Sequence, residues 1–273
     1  MNPITKPIYS ENDTFQQLLA LKENRQKRSK LKQIFVEGVS CINSVLQHGY
    51  EVVSLVYAQT EQKSGWLRSI LANSNAEYHY ELPVELLAKL SDREEQSELL
   101  AIVKERKTKL SEIPVHNRLQ VAVLDRPTNP GNLGSTLRSC NLLEVDAVII
   151  LGHAADIYDP KTLRSSIGTV FAQKIVTVPS FVELTEWIRQ VKLQLHELKT
   201  IGTSAKADLT ISQTDFTIPI ILLFGNETSG LSMNLRNLCD SLVRIPTNGY
   251  ASSLNLSCAI SIFLYEAMRQ RSQ

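Results

Sequence analysis

Uninterrupted apolar runs in the C-terminal part of the chain constrain its fold more than any other feature. After residue 118, short segments are apolar at consecutive positions and not only at alternate ones. Strands buried on both faces of a parallel sheet have this composition, whereas a strand with one face in water alternates. Helical stretches separate most of the runs, so we predict an α/β domain with a mostly parallel sheet and helices on both faces. The runs are LQVAVLD (119–125), DAVIILG (146–152), KIVTV (174–178), LKTIGTS (198–204), IPIILLFG (218–225) and SLVRIP (241–246).

The N-terminal part of the chain has mixed helical and extended signals. TFQQLLALKENRQKRSK (14–30) has apolar residues at helical spacing, and QIFVEG (33–38) follows as a strand. Further short strands and helices alternate up to a charged, poorly periodic stretch from Lys104 to Arg118. The 273-residue length suits two domains. We therefore predict a small α/β domain at 1–107, a linker at 108–118 and a second domain at 119–273.

Charge and composition narrow the class of protein. The formal net charge is only +1, but residues 22–32, KENRQKRSKLK, carry six basic residues and one acidic residue. Such a run either neutralises phosphates or is a solvated helix face. No apolar run is long enough to cross a bilayer, and the first residues lack the apolar core of a signal peptide, so we expect a cytoplasmic protein without a membrane partner. The four cysteines form no CxxC pair and the five histidines no HExxH motif, so we expect no metal.

The segment NPGNLGSTLRSC (129–140) follows the first apolar run and resembles a phosphate-binding junction. Its proline and glycines predict a turn, with a helix beginning near Ser135 and Arg138 about one turn inside it. The start of a helix favours an anion, although a tight turn with a surface arginine is the alternative. A nucleotide-hydrolysing P-loop would need a lysine before its serine or threonine, and a dinucleotide site would need GxGxxG. Neither pattern is present.

Two further segments follow strands and carry polar residues. LLFGNETSGLS (222–232) places Glu227 between two glycines, where it either caps a helix or orients a ligand. IPTNGYASSLNLSCAI (245–260) places Asn255 in the first turn of a long apolar helix. Asparagine is a poor helix former and a poor core residue, so we expect it to have a hydrogen-bonding role. Because ligands bind at the carboxyl ends of parallel strands, the three segments are predicted to form one pocket.

As an ordered set, these segments and DPKTLRSSIGTVF (159–171) resemble the SpoU/TrmH family of RNA ribose 2′-O-methyltransferases. The resemblance covers Leu119 to the C-terminus, and RSKLKQIFVEG (28–38) resembles the small ribosomal-protein-L30e-like RNA-binding domain of such proteins. It implies a C-terminal trefoil knot, S-adenosylmethionine as cofactor and a homodimer formed through the catalytic domain. The chain departs from the family pattern at Glu144, where glycine is usual, and at Thr247, where methionine is common.

The resemblance also implies the site residues and the substrate. Ribosomal RNA is the favoured substrate, and the alternatives are a tRNA 2′-O-methyltransferase or a non-catalytic RNA-binding member of the fold. DNA is not expected, because it lacks the 2′-hydroxyl. Since a guanidinium stays protonated, Arg138 is expected to clamp a phosphate while that phosphate or a water relays the proton. The matching catalytic and RNA-contacting residues are Asn132, Arg138, Glu227, Ser253 and Asn255, and the cofactor-binding residues are Thr203, Gly225, Ile245 and Leu254.

Overall fold

The structure is a computed structural model that describes residues 3–91, 97–250 and 253–272. It divides into two compact units. The first contains residues 1–106 together with 158–171, and the second contains 107–157 together with 172–273. The segment 158–171 thus packs with the first unit, although the sequence prediction assigned it to the second domain. Within the described residues, no helix has the length and apolar character that crossing a membrane requires.

The elements follow one another in alternation through both units. The strands are β1 (Ile4–Pro7), β2 (Gln33–Glu37), β3 (Val52–Ala58), β4 (Tyr78–Leu82), β5 (Leu99–Lys104), β6 (Gln120–Asp125), β7 (Ala147–Leu151), β8 (Ile175–Val178), β9 (Lys199–Thr203), β10 (Leu209–Thr210), β11 (Ile220–Phe224) and β12 (Ser241–Arg244). The helices are α1 (Asp13–Glu23), α2 (Arg25–Leu31), α3 (Val39–Gln47), α4 (Gly65–Asn73), α5 (Val84–Leu90), α6 (Pro130–Leu142), α7 (Pro160–Ser166), α8 (Thr169–Ala172), α9 (Phe181–Gln194), α10 (Met233–Leu238) and α11 (Leu256–Arg271).

The first unit is built on a mixed sheet with the strand order β1-β4-β3-β5-β2. The stretch 14–30, predicted to be helical from its apolar spacing, is helical, but Asn24 divides it into α1 and α2. The Asn24 side chain accepts a hydrogen bond from the Lys27 amide and caps α2. Arg28 in the basic run is only 4% exposed, and its guanidinium donates to the carbonyl oxygens of Leu21 and Lys22. Arg28 therefore holds the helix pair together and is not part of a solvated face.

The second unit is built on a sheet in which every strand pair is parallel, with the order β10-β12-β9-β11-β6-β7-β8. β6 and β11 lie side by side at its centre and are buried on both faces. Leu184 and Ile188 of α9 pack on one face, and Phe263 of α11 packs against Phe224 on the other. The predicted parallel sheet with helices on both faces is confirmed, whereas the trefoil knot stays a prediction.

The start of α6 differs from the prediction. The helix begins at Pro130, five positions before Ser135. Asn129 is its N-cap, since its side-chain oxygen accepts a hydrogen bond from the Asn132 amide at 3.0 Å, and Pro130 has the φ angle that a first helical residue needs. The glycines of this segment therefore lie in the helix and form no turn, and Arg138 lies about two turns inside it.

Candidate active site

The loops that follow several parallel strands meet at one edge of the second unit's sheet. They line a cavity of about 580 Å³ together with the starts of α6 and α11. Eight of the nine predicted site residues line this cavity: Asn132, Thr203, Gly225, Glu227, Ile245, Ser253, Leu254 and Asn255. Arg138 does not line it. The structure therefore confirms that the three predicted segments form one pocket, with the arginine as the exception.

The loop after β11 folds back on itself. The backbone groups of Asn226 and Gly230 exchange two hydrogen bonds of 3.1 and 2.9 Å. A Cβ atom at position 225 would lie 2.2 Å from the carbonyl carbon of Gly230 and from the amide nitrogen of Leu231. Glycine is thus required at 225 by the return of its own loop, whatever ligand the cavity holds.

A buried carboxylate fastens this loop to the end of β6. Asp125 is 2% exposed, and its Oδ2 accepts a hydrogen bond from the Ser232 amide at 3.1 Å. Its Oδ1 accepts a 2.8 Å hydrogen bond from Nε of Arg126, and this bond raises the pKa of Arg126. The Arg126 carbonyl in turn accepts a hydrogen bond of 2.8 Å from the Asn226 side chain. This network was not predicted from the sequence, although an acidic residue at the end of a mostly apolar run was a usable signal.

Glu227 offers a carboxylate oxygen to the cavity. Its Oε2 lies 3.4 Å from the amide nitrogen and 3.5 Å from Oγ1 of Thr128, so both interactions are long. Its Oε1 is buried and accepts no hydrogen bond from any described residue. A buried anionic oxygen without a donor is costly, so it is available to a donor or a positive charge on a ligand.

The starts of α6 and α11 are joined by a pair of amides. Oδ1 of Asn255 accepts hydrogen bonds from the amide and the hydroxyl of Ser257 at 2.9 and 2.8 Å, which makes Asn255 the N-cap of α11. Its Nδ2 is therefore directed to Oδ1 of Asn132, at 3.0 Å. The hydrogen-bonding role expected of Asn255 is confirmed, but the residue precedes the helix and is not in its first turn.

Arg138 lies on a different side of α6 from Asn132. Arg138 lies six positions after Asn132, so the two side chains point about 120° apart around the helix axis. Arg138 is exposed and has no hydrogen bond to any described residue. Leu142, one turn further along, is 66% exposed, and Ile262 and Tyr265 of the adjoining α11 are 38% and 56% exposed. Arg138 thus borders an exposed apolar surface and not its own chain's cavity.

The cavity suits a nucleoside-sized cofactor. Its volume falls within the usual range for small-molecule sites, and apolar side chains such as Ile245 and Leu254 are combined with polar strand-end backbone. The Glu227 Oε1 atom without a donor suits a ligand that carries positive charge. These features fit S-adenosylmethionine, the cofactor that the resemblance implies. No group of histidine, cysteine, aspartate and glutamate suited to a metal ion occurs in the described part of the chain.

Comparisons with known proteins agree with the resemblance. A family model described as the SpoU rRNA Methylase family matches residues 120–265, and one described as the SpoU L30e-like domain matches residues 12–101. The chain is 40% identical over 270 residues to a 23S rRNA (uridine(2479)-2′-O)-methyltransferase of Streptomyces viridochromogenes, covering 98% of this chain and 94% of the relative. It is also 36% identical over 150 residues to the 23S rRNA (guanosine-2′-O-)-methyltransferase RlmB of Pseudomonas syringae, covering 55% of this chain and 58% of that protein.

Solved structures extend the similarity to the whole fold. The SpoU methyltransferase AviRb from Streptomyces viridochromogenes, solved with AdoMet, superposes with a TM-score of 0.88 at 40% identity, covering 96% of this chain and 99% of that one. An AdoMet-bound rRNA methyltransferase from Sinorhizobium meliloti superposes with a TM-score of 0.87 at 25% identity, covering 97% and 98%.

Proposed function

Since the chain belongs to the SpoU rRNA Methylase family, as its motifs predict, we propose that it methylates the ribose 2′-hydroxyl of ribosomal RNA from S-adenosylmethionine. The observation that carries the proposal is the single cavity in which eight of the predicted site residues meet. Ribosomal RNA is favoured over tRNA because the full-length relative and the shorter RlmB match are both named as 23S rRNA enzymes. We place this activity in the cytoplasm.

S-adenosylmethionine supplies an activated methyl group with a good leaving group when it is bound. Thr203, Gly225, Ile245 and Leu254 would hold it through strand-end backbone and apolar contacts. They line the cavity and lie at the ends of, or in the loops after, three neighbouring strands, β9, β11 and β12. Glu227 Oε1 would accept a donor or balance a positive charge there. The chain's own contribution is therefore to fix the position of the reacting groups and to exclude water.

The amide pair of Asn132 and Asn255 would orient the ribose. It lies at the border of the cavity where two helix starts meet, and the Ser257 amide already fixes which way the Asn255 side chain faces. A fixed amide presents a donor and an acceptor at defined positions, which suits a ribose hydroxyl that can both donate and accept. Ser253, on the same loop, adds a hydroxyl to this side of the cavity.

Arg138 would act in a homodimer. The apolar surface beside it, formed by Leu142, Ile262, Tyr265 and Met268, has the composition of a subunit interface. A second copy packed on this surface would bring Arg138 of one subunit towards the cavity of the other. There a guanidinium can hold a phosphate of the target nucleotide with two hydrogen bonds, while it stays protonated.

RNA binding by the first unit is part of the proposal. Arg28 of the basic run is buried and therefore does not face the solvent. Lys27 and Lys30 of α2, and Lys32 at its C-cap, have exposed or half-exposed side chains. They would contribute to RNA affinity through phosphate contacts and not to the methyl-transfer step.

The proposal is tested with purified protein, labelled S-adenosylmethionine and unmodified 23S rRNA transcribed in vitro. The expected product carries a labelled ribose methyl, which makes one position of the RNA resistant to alkaline cleavage. DNA of the same sequence should accept no label, since it has no 2′-hydroxyl. Label on tRNA but not on 23S rRNA would replace the substrate, and RNA binding without cofactor binding would identify a non-catalytic member of the family.

A further inference from the structure

The cavity is lined by more positive charge than its cofactor explains. Lys206 in the loop after β9, Arg236 in α10 and Arg244 at the end of β12 all line it. Glu227 is the single acidic side chain among the described lining residues. Three separate elements thus each bring one cation to the same cavity, and the basic side chains outnumber the acidic one.

The charge of S-adenosylmethionine does not balance this excess. The molecule has a sulfonium, an ammonium and one carboxylate, so it is a net cation and is repelled by additional positive groups. Its one carboxylate carries a single negative charge, so it cannot balance three basic side chains. A further anion at this part of the cavity would balance the remaining positive charge.

The three basic side chains have donor groups that no other described residue of the protein occupies. Arg244 is half-buried and makes no side-chain hydrogen bond or ion pair to any described residue. Arg236 donates Nε to the Leu231 carbonyl at 3.2 Å, and this contact orients its guanidinium while its terminal nitrogens remain available. Lys206 is exposed and forms no ion pair within the described residues. A half-buried guanidinium without an acceptor is unfavourable until an anion reaches it.

Arginines elsewhere on the surface of this unit behave differently. Arg189 makes two hydrogen bonds to Glu186, at 3.0 and 2.8 Å, and Arg269 makes two to Glu266, at 2.8 and 2.7 Å. These arginines have carboxylate partners within their own helices, whereas the cavity arginines have none. The two cavity arginines therefore differ from these two helix arginines in having no carboxylate partner among the described residues.

We propose that Lys206, Arg236 and Arg244 form a phosphate-binding rim that holds the RNA backbone next to the target ribose. The inference rests on the proposed function and adds to it a set of RNA contacts from the loop after β9, from α10 and from the end of β12. Phosphate suits the observed groups, because a guanidinium fork matches its oxygens and a lysine adds a point charge. An anionic oxygen could also come from the cofactor carboxylate, and the two sources predict different results.

The test compares Lys206→Gln, Arg236→Gln and Arg244→Gln, singly and together, in the full chain. Arg189→Gln is the matched control, because it removes the same charge from the same unit but from α9, whose residues do not line the cavity. Calorimetry gives the dissociation constant of S-adenosylmethionine, and filter binding to unmodified 23S rRNA at several KCl concentrations gives the RNA affinity and its salt dependence. Thermal unfolding shows whether each variant is folded.

A phosphate rim predicts weaker RNA binding with a smaller salt dependence. Each rim substitution should lower the slope of log K against log salt by about 0.7 to 0.9, while cofactor binding stays unchanged or becomes tighter as repulsion is removed. Arg189→Gln should change neither quantity. Weaker cofactor binding with an unchanged RNA slope would assign the anion to the cofactor carboxylate and overturn the inference, as would wild-type values for the triple variant. The proposed function fails separately, if the wild-type protein binds no cofactor or methylates no RNA.

Discussion

Asn255 allows the stability of α11 and the geometry of the site to be perturbed independently. Its Oδ1 caps the helix through the Ser257 amide, and its Nδ2 donates to Asn132. Asn255→Ala removes both interactions. Loss of an N-cap costs about 1 kcal/mol, and loss of a solvent-exposed hydrogen bond adds about 0.5 kcal/mol, so we expect a destabilisation of about 1.5 kcal/mol. Asn255→Asp and Asn255→Ser keep a capping oxygen but have no amide donor, so both should retain most of the stability.

The two effects are read by different assays. Trp66 lies in the first unit and Trp187 in the second, and the chain has no other tryptophan. In a Trp66→Phe background, the urea transition followed by fluorescence therefore reports on the second unit. We expect stability to follow the order wild type, Asn255→Asp and Asn255→Ser, then Asn255→Ala, with methyl transfer strongly reduced in all three variants. Wild-type methyl transfer by Asn255→Asp would refute the role given to the amide pair, and wild-type stability of Asn255→Ala would refute the cap.

Three further predictions concern the second unit. The Arg271 guanidinium donates hydrogen bonds of 2.8 Å to the backbone carbonyls of Phe216, Arg118 and Ile218. Arg271→Ala should therefore lower the free energy of unfolding by about 2–3 kcal/mol in the same urea assay. Arg271→Lys should recover less than half of this loss. Burial acts to raise the pKa of Asp240, but hydrogen bonds from Lys192 and Thr200 outweigh it and hold the pKa below its usual 3.8. Because the folded-state pKa is depressed, this stabilisation is present above pH 3.8 and is lost as the pH falls through the folded-state pKa. The free energy of unfolding, measured from pH 5 to pH 2, should therefore fall less steeply for Asp240→Asn than for wild type. Co-expressed Arg138→Ala and Asn255→Asp chains, each inactive alone, should regain activity when mixed dimers form, and the absence of any gain would contradict the dimer in which Arg138 serves the other subunit's cavity.

The parallel sheet could be predicted because strands that are apolar on both faces are compatible with few architectures. A run such as IPIILLFG can avoid water only if both faces of the strand are covered, and this requires helices on each side of a parallel sheet. β1 and β10 were not predicted. β1 is an exposed edge strand and β10 has two half-buried residues, so neither has an apolar signal. Their pairing depends on neighbouring strands that are distant in the sequence.

The candidate site was predicted in part. Strand-end loops gather wherever a parallel sheet reverses its order, so the meeting of three segments followed from the fold class. The side of α6 on which Arg138 lies could not be predicted from the sequence. The glycines suggested a turn, whereas Asn129 and Pro130 start the helix at this point. The contacts of Asp125 with Ser232 could not be anticipated either, since 107 positions separate the two residues.

A crystal structure of the protein with S-adenosylmethionine would test the central claim most directly. We expect the cofactor to occupy the strand-end cavity in contact with Gly225, Ile245 and Leu254, with its methyl group facing the amides of Asn132 and Asn255. A cofactor bound away from these loops, or a methyl group that faces the interior of the sheet, would contradict the account.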